Sequence, residues 1–168
     1  MSSNGARVAQ VNVSPGGVPK LPVDGTWVGR LGLEGDSHTE PEPMHGGLEQ
    51  AVCLYSVESI ARVAADGHRA FPGAFGENLT IEGIELASLA PGDRLAIGTA
   101  GLVLEITEYA GPCQTIAHWF VDRQIARISP KVHPEDARWY ARVQTEGPVR
   151  GGDAIVRLDR GGAPDPGD

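Results

Sequence analysis

Cys113 is the residue of this chain whose surroundings best suit chemistry. It follows a strand-like run that ends at Tyr109, after a turn made by residues 110–112. We predict that a helix begins at Gln114, which would set the thiol against unpaired backbone N–H groups and the positive end of the helix dipole. That setting favours the thiolate, the form that attacks an electrophile or binds a metal. Because an isolated cysteine is more often a small buried hydrophobe, other features must decide its role.

Three further junctions of the sequence pair a hydrogen-bonding side chain with glycine. They are Arg30 with Gly35-Asp36, His45-Gly46-Gly47, and Gly76-Glu77-Asn78. Glycine lets a backbone N–H approach a ligand closely, so these segments, gathered at one mouth of the fold, would surround Cys113 with a polar cleft. We expect Tyr55 and Ser56 to end a strand beneath this cleft. Glu77 is a candidate proton donor, with a loop-capping role as the alternative.

Length and composition indicate one domain and exclude several classes of site. We assign residues 1–160 to a single domain and residues 161–168 to a flexible tail, in a chain of 168 residues. The net charge of −8 argues against a nucleic-acid surface, which needs clustered Lys and Arg. Two cysteines and no CxxC or His/Cys cluster argue against a disulfide framework and against zinc, haem or iron–sulfur sites. With no signal peptide and no long apolar run, we expect a cytoplasmic protein without a membrane span.

The residue pattern predicts a mainly β fold with a few helices, closed as a β-barrel. Alternating apolar residues predict strands at 7–14, 26–33, 51–55, 79–81, 102–109 and 137–144. The phrases at 90–97 and 149–156 each predict a Gly-Asp turn that leads into an alternating strand. Helices are predicted over 57–64, capped by Ser56, and over 114–128. The core should include Val52, Leu54, Leu95, Ile97, Val103, Ile106 and Val156.

Several short phrases in a fixed order resemble the MOSC domain, the module related to the C-terminal part of molybdenum cofactor sulfurases. They are GD at 35–36, HGG at 45–47, AVCLYS at 51–56, GENLT at 76–80, APGD at 90–93 and PC at 112–113. The match spans roughly residues 7–158 and is similar to the stand-alone bacterial type. The resemblance implies a molybdenum–pyranopterin cofactor and, at the level of family annotation, pyridoxal phosphate binding.

The resemblance also implies roles for individual residues. Cys113 would ligate molybdenum, and Asn78 with His45, Gly46 and Gly47 would hold the cofactor; we expect Arg30, Tyr55, Ser56 and Gln114 to contact it too. Relatives often carry basic residues where this chain has Gln50 and Gln114, so other cations, such as Arg30, Arg7, Lys20 or Lys131, would have to compensate.

The activity implied is reduction of small N-hydroxylated compounds. Because the sequence has no nicotinamide, haem or iron–sulfur motif, electrons would come from an external donor protein. Three alternatives stay open. They are a non-catalytic carrier of cofactor or of a persulfide on Cys113, a domain that has lost the cofactor, and a cysteine hydrolase. The hydrolase would use Cys113 with a carboxylate and one of His38, His45 or His133. We expect Cys53, between Val52 and Leu54, to be core filler.

Overall fold

Eleven strands and one α-helix make up most of the regular structure in a computed structural model that describes residues 5–37 and 47–158. The strands are β1 (Arg7–Val13), β2 (Leu21–Val23), β3 (Gly25–Gly29), β4 (Gly32–Leu33), β5 (Val52–Ser56), β6 (Leu79–Glu82), β7 (Arg94–Ile97), β8 (Leu102–Ala110), β9 (Arg138–Thr145), β10 (Gly147–Arg150) and β11 (Ile155–Leu158). The helix is α1 (Val57–Ala65). The predicted mainly β fold is confirmed, whereas the predicted tail at 161–168 lies outside the described residues.

Two sheets organise these strands. The larger has eight strands in the order β11-β7-β8-β9-β5-β6-β1-β2, and the smaller has the order β10-β3-β4. Neighbours run antiparallel except β5 and β6, which are parallel. A single bridge between Arg7 and Ala154 brings β1 near the opposite edge. The strand order is therefore open, and the predicted barrel is not confirmed.

The core follows the two-residue period of the strands, which corrects two predicted core residues. In β8, Leu102, Leu104 and Ile106 are buried, whereas Val103 is only partly buried because it lies on the other face. In β11, Ile155 is 6% exposed and Val156 is 51% exposed. A one-residue slip moves a side chain to the opposite face of a sheet. The other predicted core residues are buried: Val52, Leu54, Leu95, Ile97 and Ile106.

Helix α1 forms where its sequence predicts it. The Ser56 side chain accepts a hydrogen bond from the Ser59 N–H, which satisfies one of the free donors of the first turn. Ile60 and Val63 turn inward and are buried against the sheet. Ser56 thus has a structural partner, and α1 buries one face as an amphipathic helix should. In the described parts of the chain, no helix is long and apolar enough to cross a membrane.

The predicted helix over 114–128 is wrong. That stretch forms three 3-10 segments, Gln114–Trp119, Val121–Arg123 and Ile125–Ile128. Asp122 and Arg123 have positive φ angles of 52° and 56°, which an α-helix does not allow. Cys113 precedes six residues of 3-10 helix, so the helix-dipole argument for its thiolate does not apply.

Candidate functional site

Cys113 and Asn78 line one cleft, as the sequence predicts. The cleft holds about 670 Å³ of space, part of it open to solvent. Its walls come from the loop after β1, the loop before β6, strands β5 and β9, and the segment after β8. The lining residues are Gly17, Val18, Lys20, Ser37, Gln50, Cys53, Phe75, Gly76, Asn78, Cys113, Thr115, Ile116, Arg138 and Tyr140.

Strands β5 and β9 supply the floor of the cleft. Cys53 is paired with Tyr140 across the two strands. Arg138 lies two residues before Tyr140, so both side chains project from the same face of β9. Arg138 in turn pairs with Ala110 at the end of β8, three residues before Cys113. The register of three adjacent strands therefore gathers two thiols, a phenol and a guanidinium at one place.

A group of three residues linked by hydrogen bonds lies on the β6 side of the cleft. We call it the Asp36 network: Asp36, Lys20 and Asn78. The Lys20 ammonium lies 2.6 Å from Asp36 Oδ2, and both side chains are buried. The Asn78 amide donates to the same carboxylate oxygen at 2.9 Å, and its Oδ1 accepts from the Cys53 N–H at 3.0 Å. Asn78 therefore ties strand β5 to the lysine–aspartate pair, and its own polar atoms are already engaged.

Arg138 is a buried cation in a different situation. Its guanidinium donates to the carbonyl oxygen of Phe75 and, at 2.9 Å, to that of Gly111. A longer bond of 3.4 Å reaches the Ala110 carbonyl. Its Nε is buried without a hydrogen-bond partner, and no carboxylate of the described residues forms an ion pair with it.

The two thiols of the cleft differ in accessibility. Cys113 is partly exposed, whereas Cys53 is buried. Burial raises the pKa of the Cys53 thiol to about 11, although the positive charge of Arg138 opposes the shift. Burial, reinforced by Cys53, also raises the pKa of Tyr140. The expected core position of Cys53 is confirmed by its burial, but its side chain also reaches the cleft.

Glu77 is placed behind the cleft rather than among its lining residues. Its Oε2 accepts hydrogen bonds from the Gly73 N–H at 3.0 Å and from the Thr80 hydroxyl at 2.9 Å. Its Oε1 is buried without a partner among the described residues. Burial raises the pKa of this carboxyl, and the hydrogen bonds only partly oppose that shift. In this position Glu77 fastens the loop before β6, as the loop-capping alternative expects.

Four other predicted contact residues lie away from the cleft. The Tyr55 hydroxyl donates to the Asp136 carbonyl at 2.8 Å in the core, and Ser56 caps α1. The Arg30 N–H donates to Glu146, in a separate shallow groove beside β3 and β4. Gln114 is exposed and accepts a hydrogen bond from Arg123.

The predicted HGG contact is described in part. Gly47 precedes the short 3-10 segment Leu48–Gln50 with a φ of 83° and does not line the cleft. His45 and Gly46, like His38, lie outside the described residues. Their roles as ligands therefore stay predictions.

Sequence reasoning missed Arg138 and Tyr140 and did not place Lys20. Strand parity could have found the first two, since residues 138 and 140 fall on one face of a strand predicted over 137–144. Lys20 has no such signal, because it lies in a loop that only the tertiary structure brings to Asp36.

The cleft has no set of ligands typical of a metal held by the protein alone. Within residues 5–37 and 47–158, no three His, Cys, Asp or Glu side chains are close enough to share an ion. Within the described residues, Cys113 is therefore not part of a three-ligand metal centre.

Comparison with known proteins adds independent information. A family model described as the MOSC domain matches residues 41–156. Protein YiiM of Escherichia coli is 32% identical over 119 residues, which are 68% of this chain and 52% of YiiM. The uncharacterized protein YflK of Bacillus subtilis is 30% identical over 134 residues, 79% of this chain and 58% of YflK. The chain thus spans little more than half the length of these curated relatives.

A solved structure shares the fold. The crystal structure of YiiM from Geobacillus stearothermophilus superposes with a TM-score of 0.69 at 26% identity, covering 93% of this chain and 76% of that one.

Proposed function

The chain belongs to the MOSC domain family, a family associated with the molybdenum cofactor, and from this premise we propose that its cleft binds a molybdenum–pyranopterin cofactor through Cys113. We further propose that the protein is the terminal component of a reductase of N-hydroxylated compounds. The observation that carries the proposal is that Cys113, Asn78, Lys20 and Arg138 line one cleft. These residues are far apart in sequence and meet only in the fold.

The chemistry of the cleft fits such a cofactor. A thiolate is a soft donor, suited to a metal in a sulfur-rich environment, and Cys113 is the accessible thiol. A pyranopterin cofactor carries a phosphate, which needs Arg, Lys or backbone N–H donors. Arg138 supplies such a cation, and Lys20 adds one that is already paired with Asp36, although Gln50 and Gln114 stand where relatives often carry basic residues.

Each residue of the cleft has a distinct task in this proposal. Cys113 holds the metal from the partly exposed side of the cleft. Asn78 and Asp36 keep the Cys53 backbone and Lys20 in place through hydrogen bonds. Phe75 and Ile116 supply apolar wall. Asn78 thus acts by positioning its neighbours, because its amide is already engaged.

The bound cofactor would supply two-electron reduction of an N–O bond. In this proposal the electrons come from an external donor protein. The open side of the cleft, next to Cys113, gives the substrate access. The substrate class and the electron donor are parts of the proposal.

The hydrolase alternative finds no support in the described residues. A catalytic cysteine needs a base within hydrogen-bond reach, and no histidine is among the described residues that line the cleft. His133 faces Glu135 at 3.2 Å instead.

Metal analysis of Cys113→Ser tests the proposal. Protein from a molybdenum-competent host should contain molybdenum, and the variant should lose nearly all of it, because a serine hydroxyl is hard and stays protonated near neutral pH. The matched control is Cys53→Ala, which should keep its molybdenum. Reduced methyl viologen then provides electrons for turnover of an N-hydroxylated test compound. Full metal content and activity in Cys113→Ser would refute the proposal, and molybdenum without turnover in the wild type would indicate a carrier.

A further inference from the structure

The geometry around Arg138 points to an anion-binding site on the Cys113 side of the cleft. We propose that Arg138 receives an oxyanion group, a phosphate or a carboxylate, from the molecule that occupies the cleft. The proposal deepens the cofactor proposal above and rests on it for the identity of the ligand, but the site itself needs no molybdenum.

Arg138 carries a buried charge without an acidic partner. It is 6% exposed, and its hydrogen bonds to the described residues all go to carbonyl oxygens. Neutral carbonyls compensate a buried charge only in part, and a buried cation without a counter-ion is costly. No carboxylate among the described residues forms an ion pair with it. An anionic ligand would supply the missing charge.

Lys20, in the same cleft, is a cation whose charge is compensated by a carboxylate. Its ammonium lies 2.6 Å from the Asp36 carboxylate. Glu77 interacts with Arg138 only through space, and burial raises the pKa of that carboxyl and so disfavours its charged form. Of the two Lys and Arg side chains among the described residues that line the cleft, Arg138 is therefore the one without a carboxylate partner.

The guanidinium of Arg138 also lies close to the segment that carries Cys113. The bond from Arg138 to the Gly111 carbonyl holds the guanidinium two residues from Cys113, and both side chains line the cleft. The Nε–H is buried without a partner. A guanidinium presents its N–H groups as a fixed fork that matches the oxygens of a carboxylate or phosphate. A ligand bound to Arg138 therefore shares the cleft with the Cys113 thiol.

Alkylation of Cys113 by two reagents of different charge tests the site in the cofactor-free protein. Iodoacetate is anionic and iodoacetamide neutral, so the ratio of their rates, normalised to 2-mercaptoethanol, reports the charge beside Cys113. We expect this ratio to be raised on the order of tenfold in the wild type and to fall toward unity in Arg138→Gln. Arg138→Lys keeps the charge and should keep most of the preference. Arg123→Gln, an exposed arginine near Cys113 in sequence, is the matched control and should leave the ratio unchanged.

Inorganic phosphate provides a measurement that needs no variant. Millimolar phosphate should slow iodoacetate labelling of wild-type Cys113, whereas chloride at equal ionic strength should not. A wild-type ratio near unity, with no phosphate protection, would overturn the proposal even if every Arg138 variant failed to fold. Loss of thermal stability in Arg138→Gln with an unchanged ratio would also overturn it, because that result describes a structural arginine.

Protein from the molybdenum-competent host separates the two sources of the anion. If Arg138 holds the phosphate of the cofactor, Arg138→Gln should lose most of its molybdenum. If Arg138 holds a substrate, Arg138→Gln should keep its molybdenum and lose the preference for a carboxylated N-hydroxylated compound over its amide. If the wild type binds no molybdenum, the cofactor proposal fails, while the alkylation ratio still decides the anion site.

Discussion

Two buried charges at the start of β9, two residues apart, have opposite surroundings. Asp136 accepts hydrogen bonds from Arg62 at 2.9 Å and from Arg127 at 2.9 Å; we call these three residues the Asp136 cluster. Arg138, the next residue but one, has no carboxylate partner in the described chain. Although burial alone would raise the pKa of Asp136, the hydrogen bonds from Arg62, Ser59 and Arg127 hold it below its usual value.

The charges of the Asp136 cluster stabilise the fold, whereas the charge of Arg138 is available to a ligand. The Asp136 cluster joins α1, the 3-10 segment Ile125–Ile128 and the 3-10 segment Pro134–Asp136, and none of its members lines the cleft. Arg138 lines the cleft and joins two loops through their carbonyls. Asp136 is a buried carboxylate paired with two arginines, whereas Arg138 has no carboxylate partner among the described residues. The arginine without such a partner is the one that lines the cleft.

Removal of the charge at Asp136 should give the largest loss of stability. Asp136→Asn keeps the shape but leaves Arg127, which is largely buried, without its buried counter-ion. We expect the free energy of unfolding to fall by about 3–5 kcal/mol, measured by urea denaturation. The control is Asp66→Asn, since Asp66 pairs with the same Arg127 but is 55% exposed; it should cost less than about 1 kcal/mol. Equal losses would remove the distinction between the Asp136 cluster and a surface ion pair.

The Asp36 network offers a second, smaller test on the paired side of the cleft. Asn78→Ala leaves the buried Cys53 N–H without an acceptor and removes a donor to Asp36. We expect a loss of about 1–3 kcal/mol in unfolding free energy, measured in the cofactor-free protein. Gln114→Ala, at an exposed residue, should change stability by less than about 0.5 kcal/mol. A stable Asn78→Ala protein that fails only to retain cofactor would assign Asn78 to ligand binding instead.

The two thiols extend the comparison to reactivity. With a pKa of about 11, roughly one Cys53 thiol in a thousand is ionised at pH 8, and the residue is also buried. Cys113 is partly exposed, so iodoacetamide should label it at least about tenfold faster. Peptide mass analysis of the native protein over time gives both rates. Equal rates would mean that the cleft floor opens readily to the reagent.

The last prediction concerns the pH dependence set by Glu77. Burial raises its pKa above the unfolded value of 4.5, so the folded state holds this proton more tightly than the unfolded state. The stability that protonated Glu77 contributes is therefore fully present below pH 4.5 and is lost as the pH rises through its folded pKa. Relative to Glu77→Gln, the wild type should lose unfolding free energy over that interval. A difference that stays constant with pH would show that Glu77 is not a buried neutral acid.

Local patterns predicted the strands and helix α1 well but not which strands pair with one another. Helix α1 and strands β1, β5, β8 and β9 follow periodicities that any short window reveals. The phrase at 149–156 predicts a Gly-Asp turn followed by a strand, and the turn separates β10 from β11, which belong to different sheets. The break depends on which distant strands, β3 and β7, accept each half. A local pattern carries no information about that choice.

The residues of the candidate site that belong to sequence motifs could be predicted. The residues that strand register brings to the cleft could not be found from a motif. Cys113 and Asn78 belong to motifs and meet in the cleft as expected. Arg138 belongs to no motif, and it becomes notable only when Phe75 and Gly111 are found at its guanidinium. Glu77 looked catalytic because polar residues in glycine-rich loops often are, but its hydrogen bonds to Gly73 and Thr80 are those of a loop anchor.

The division of the last strands has a consequence for the order of folding during synthesis. The smaller sheet joins β3 to β10, more than a hundred residues later, so closing it carries a large loop entropy and cannot occur before residue 147 has left the ribosome. Every described residue that lines the cleft precedes that point. A nascent chain can therefore assemble the cleft before the smaller sheet forms. We expect closure of that sheet to follow assembly of the cleft.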